Sequence, residues 1–166
     1  MNEAMMEVAP ALVEAGIPLR ITHQTGQADL ERVGKAYADA GLREVEVLPF
    51  IDDMASAYAK ADFILCRAGA TTIAEVTVCG RPLIMVPFPF AVDDHQTANA
   101  RAVEAGKAGI CLPQGELNAS RLFQLLSEMV TEPERLMEMA ANCHRMGKPE
   151  AVQDIMDALE QEVAHV

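Results

Sequence analysis

The stretch Arg67-Ala68-Gly69-Ala70-Thr71-Thr72 is a turn of small residues that closes one apolar run and opens a helical pattern, with Glu75 just inside it. Gly69 and Ala70 let a ligand approach the backbone, and the N–H groups of Ala70, Thr71 and Thr72 would sit at a helix N-terminus. That arrangement suits a phosphate. The same residues also fit a capping box, T-x-x-E, in which Thr72 and Glu75 satisfy only each other's backbone. A second set follows in "DDHQTANA", where Asp93, Asp94, His95, Gln96 and Asn99 fall within two turns. Gln96 and Asn99 are three apart and share a helix face. Amide and imidazole groups on one face suit a polyhydroxylated ligand such as a sugar. The stretch reads equally as a solvated helix start whose acids match the helix dipole.

Other reactive side chains point nowhere in particular. Cys66, Cys79, Cys111 and Cys143 contain no C-x-x-C pair and no zinc-like spacing, and read as reduced thiols. His23 and His144 have no neighbours that would complete a metal site, and methionines at helical spacing read as core filler. No metal and no cofactor is expected.

These residues need a scaffold, and the chain alternates helical and strand patterns almost throughout. Helical periodicity marks Met5, Val8, Ala9 and Leu12, then Leu30, Val33, Ala36, Tyr37 and Ala40. It continues in "MASAYAKA", which Asp52 or Asp53 can cap, in "TTIAEVTVCG", and over 93–106. Three helices close the chain, the last marked by Val152, Ile155, Met156, Leu159 and Val163. Between them, 19–24, 44–50, 62–66, 82–87 and 109–113 read as five short strands. Such alternation predicts an α/β fold with a doubly wound parallel sheet, as a single domain over 1–166. Ligands in such sheets bind beyond the carboxyl ends of the strands, where "HQTG", "PFIDDM", "RAGATT", "PFPFAVDDHQ" and "PQGEL" lie.

Charge narrows the partners. A net charge of −12 opposes a nucleic-acid backbone or an anionic lipid surface, while leaving room for a small anion held by local donors. The longest apolar run, near 82–92, carries three prolines and is too short to insert into a bilayer. With no signal-peptide pattern at the start, the expected location is cytoplasmic.

"HQTG", "PFIDDMASAYAKADFILCRAGATTIAE", "GRPLIMVPFPFAVDDHQTANA" and the "AG" at 105–106 occur in this order. Together they resemble the carboxyl-terminal half of the MurG family of GT-B glycosyltransferases, over almost the whole chain. The resemblance implies a Rossmann-like domain that binds UDP-N-acetylglucosamine without metal or cofactor. It places uracil against Phe50, Ile51 and Met54, with the Ile51 backbone reading the base edge. Gly69, Ala70, Thr71 and Thr72 would hold the diphosphate, and Glu75 would accept from the ribose hydroxyls. Gln96, with His95 and Asn99, would contact the sugar; some members of the family carry a glutamine where this chain has His95. Arg67 borders the site without an assigned role.

The resemblance also implies parts not found in this sequence: the amino-terminal domain, with the lipid I acceptor site and the catalytic base, and a strand followed by a "GGSQGA"-like turn. Met1-Asn2-Glu3-Ala4 looks like the helix after that turn. The expected activity is transfer of N-acetylglucosamine to lipid I to form lipid II in peptidoglycan synthesis, a role tied to cell shape and division. The intact enzyme would be peripheral on the cytoplasmic membrane face, and these 166 residues alone would be inactive. Two alternatives fit the same residues: a stand-alone donor-binding subunit of a two-chain transferase, and a non-catalytic UDP-sugar-binding module.

Overall fold

The computed structural model describes residues 1–164. Five parallel strands, β1 (Ile21–Gln24), β2 (Val45–Leu48), β3 (Ile64–Cys66), β4 (Leu83–Met85) and β5 (Gly109–Cys111), alternate with helices as the patterning predicts. The helices are α1 (Asn2–Glu14), α2 (Leu30–Ala40), α3 (Met54–Lys60), α4 (Ala70–Val78), α5 (His95–Ala105), α6 (Ala119–Thr131), α7 (Pro133–Met146) and α8 (Ala151–Ala164).

The strands form two sheets rather than one, with β1 paired to β2 and β3-β4-β5 in that order. No ladder joins β1 to β3 among the described residues. Among the described residues β1 has only β2 as its partner, and β3 has only β4.

Burial explains the layering. Leu83, Ile84, Met85 and Val86 are all fully buried, as a strand covered on both faces must be. Ile84 and Val86 join a cluster with Val8, Leu12, Val33, Tyr37, Leu122 and Leu125. Leu83 and Met85 point the other way, into a cluster with Tyr58, Val76, Val103 and Cys143. Helices thus cover both faces, and each fully buried Leu or Val side chain contributes about 1.5–3 kcal/mol. Close approach fixes one glycine: a Cβ on Gly109 would lie 2.6 Å from the carbonyl oxygen of Leu83. Gly41 ends α2 in the left-handed conformation, φ 84°, where a side chain would be strained.

One local reading is corrected. Asp93 and Asp94 are not helical but left-handed, both with φ 51°, so the helix expected over 93–106 begins at His95. The apolar face of α8 does not enter the core: Val152, Ile155, Met156 and Leu159 are exposed. The side chain of Val163 lies outside the described residues.

Candidate functional site

The small-residue turn resolves in favour of an open helix end. Gly69 is the N-cap of α4, in extended conformation, and no side chain caps the helix. Thr72 is therefore the third residue of the helix and not its cap, which rules out the capping box. The N–H groups of Ala70, Thr71 and Thr72 are the ones an α-helix leaves without an internal partner. Ala70 and Thr71 are exposed and Thr72 half-buried, at the carboxyl end of β3. Such a helix end attracts an anion through free N–H donors and the helix dipole together.

Glu75 is exposed on the same helix, and its carboxylate accepts from the buried Tyr58 hydroxyl at 3.4 Å. Burial first, then the nearby Glu75 charge, push the Tyr58 phenol up to about 12, so it stays a donor at neutral pH. Tyr58 lies on α3, whose start is fixed by Asp53: its carboxylate accepts from the Ser56 N–H at 3.0 Å. Of the two caps the sequence allowed, Asp53 is the one used. Hydrogen bonds from Ser56 hold its carboxyl below the ordinary carboxylate range.

The loop before α3 carries Phe50, Ile51 and Met54. Phe50 is 63% exposed at the end of β2, an aromatic face open to a ligand. The Ile51 N–H donates to the Gln24 side-chain oxygen at 2.9 Å, which ties this loop to the end of β1. Met54 is half-buried and packs into the cluster that contains Tyr58.

Across the site, Gln96 and Asn99 do share a helix face, and both brace neighbouring loops. The Gln96 side-chain oxygen accepts from the Phe88 N–H at 3.0 Å, and the Asn99 amide donates to the Ala68 carbonyl at 3.1 Å. His95 begins the helix at the exposed edge. Arg67, which had no role from sequence, is a clasp. Its Nη1 donates to the carbonyls of Val86 and Pro87 and to the Gln114 side-chain oxygen, at 3.1, 3.2 and 2.8 Å. The guanidinium also lies 5.5 Å from the centre of the Phe88 ring. One side chain thus ties together the ends of β3, β4 and β5.

Gln24, Tyr58 and Gln114 went unnoticed as site-supporting residues in the sequence. Gln24 ends β1 and Gln114 lies in the "PQGEL" loop after β5, both at the carboxyl ends of strands, which is the signal that could have found them. Among the described residues no cluster of His, Cys, Asp or Glu could hold a metal ion, and no helix is long and apolar enough to cross a membrane.

Residues 1–157 match the model of the glycosyltransferase family 28 C-terminal domain. The chain belongs to this family. The family 28 domain is 46% identical over 156 residues to a protein of Myxococcus xanthus named as UDP-N-acetylglucosamine–N-acetylmuramyl-(pentapeptide) pyrophosphoryl-undecaprenol N-acetylglucosamine transferase, covering 94% of this chain and 40% of the relative. A protein of the same name from Nitratidesulfovibrio vulgaris is 46% identical over 158 residues, covering 95% of this chain and 43% of the relative. Among solved structures, MurG of Acinetobacter baumannii superimposes with a TM-score of 0.85 at 40% identity, covering 96% of this chain and 46% of that one. The calicheamicin glycosyltransferase CalG4 shares the fold of the family 28 domain, with a TM-score of 0.69 at 22% identity. The chain spans less than half the length of the curated relatives it matches.

Proposed function

We propose that the chain is the donor-binding half of an inverting glycosyltransferase that takes UDP-N-acetylglucosamine and delivers the sugar to lipid I. The observation that carries this reading is the uncapped start of α4 with the exposed Glu75 carboxylate on the same helix. A diphosphate suits the free N–H groups, and a ribose diol suits a carboxylate that has lone pairs to spare. Relatives named for the same transfer, at 46% identity, support the choice of sugar and acceptor.

On this reading uracil lies against Phe50, Ile51 and Met54; Gly69, Ala70, Thr71 and Thr72 hold the diphosphate; Glu75 accepts from ribose. Gln96, His95 and Asn99 face the N-acetylglucosamine. The acceptor 4-hydroxyl attacks C1 of the sugar as the bond from C1 to the UDP oxygen breaks, and its proton passes to a base outside this half. The α4 amides stabilise the charge on the departing diphosphate. The intact enzyme works at the cytoplasmic face of the membrane.

Calorimetry with UDP and UDP-N-acetylglucosamine tests the assignment. Glu75→Ala should weaken UDP by about 1–3 kcal/mol, the cost of leaving polar partners unpaired. Equal binding by the wild type and Glu75→Ala would remove Glu75 from the site.

A further inference from the structure

Glu75 has one hydrogen-bonding neighbour for its carboxylate among the described residues, and it comes from another helix. The Tyr58 hydroxyl reaches Glu75 Oε2 and has no second hydrogen-bond partner among the described residues. Tyr58 is otherwise buried, its ring packed in the cluster that includes Met54, Ile73 and Val76. Met54 and Tyr58 are four apart on α3, so one short helix carries a side chain assigned to the base and the anchor of the carboxylate assigned to ribose. An exposed glutamate on a helix surface samples several rotamers; a fixed donor at one oxygen selects among them and leaves the other oxygen for a ligand.

We propose that Tyr58 is a positioning residue, whose hydroxyl sets the Glu75 carboxylate to receive the ribose hydroxyls of a nucleoside diphosphate. This rests on the donor-site reading above and adds to it the residue that holds the carboxylate in place. Tyr58 touches no ligand itself. The phenol is pushed up to about 12, so it remains a donor at neutral pH.

A double-mutant cycle read by calorimetry tests it, with UDP and 2′,3′-dideoxy-UDP as probes. Tyr58→Phe keeps the buried ring, and its urea unfolding curve reports that the fold survives. The expected result is a loss of UDP affinity of about fivefold, the scale of one hydrogen bond. The preference for UDP over the dideoxy analogue should shrink with it. In the Glu75→Ala background the same change should leave UDP binding unaltered, because the group it positions is gone. An equal loss in both backgrounds would make Tyr58 merely structural and overturn the proposal. So would binding that depends on Glu75 and ignores Tyr58, which leaves the donor site standing. No UDP binding by the wild type would overturn both.

Discussion

The side-chain oxygen of Gln96 accepts from the backbone N–H of Phe88 at 3.0 Å, so the residue assigned to the donor sugar also holds the loop between β4 and α5. Two functions in one amide can be separated by chemistry. Gln96→Glu keeps an acceptor for Phe88 and removes the amide donor; Gln96→Ala removes both. Both variants should weaken UDP-N-acetylglucosamine more than UDP in calorimetry, and only Gln96→Ala should also loosen the loop, seen as faster amide exchange at Phe88. Equal losses for the two ligands would take Gln96 away from the sugar.

Arg67 donates from one nitrogen to three acceptors on two loops. Lysine keeps the charge but not the planar fork or its reach. Arg67→Lys should destabilise the chain by about 1–3 kcal/mol, because the Val86 and Pro87 carbonyls lose a shared donor. Urea unfolding measures it; an unchanged midpoint would show that the clasp adds nothing to the fold.

His23 makes stability depend on pH. Asn2 donates through its amide to Thr25 and Asp29, which leaves its oxygen to accept from His23 Nε2 at 3.2 Å. His23 Nδ1 then accepts from the buried Tyr37 hydroxyl at 2.7 Å, a bond that a protonated ring cannot accept. Burial, then the nearby amino terminus, lower its pKa below the ordinary 6.5. Between the lowered value and 6.5 the unfolded chain binds more protons than the folded one. The contribution is therefore complete above 6.5 and falls as pH drops through that window. Urea unfolding from about pH 5 to 8 should show this slope in the wild type and less of it in His23→Gln; identical slopes would discount the histidine.

Much of this was legible in the residues, and the remainder fails for identifiable reasons. The five strands and eight helices follow from periodicity and from Gly and Pro punctuation, signals that are local. The spacing T-x-x-E favours a cap at Thr72; extended Gly69 begins the helix earlier and converts the cap into an open end. Asp93 and Asp94 suit a helix start by charge, yet aspartate also tolerates the left-handed region, and here that preference prevails. The links Gln24–Ile51, Tyr58–Glu75 and Arg67–Gln114 join residues 27, 17 and 47 positions apart, and no spacing rule reaches them. Nor does periodicity reveal whether an amphipathic face, such as that of α8, finds something to cover it.

The inner edges of β1 and β3 make a further prediction. A chain extended at its amino terminus by a strand and a "GGSQGA"-like turn should melt at a higher temperature than residues 1–166 at equal concentration. A parallel strand between those edges would satisfy N–H and C=O groups, each worth roughly 1–3 kcal/mol when buried and unpaired. Cooperative melts with the same midpoint for both chains would show that the sheet needs no strand there.

On the proposed reading, the break between the two sheets would give a bound nucleotide a mechanical part in this chain. Phe50 and Ile51 ride on the end of β2, in one sheet, and the turn at Gly69 follows β3 in the other. No rung of backbone hydrogen bonds crosses that seam among the described residues. A ligand that grips base and diphosphate at once would, on that reading, be a strut across the seam in residues 1–166, whereas uridine or pyrophosphate alone would press on one bank only.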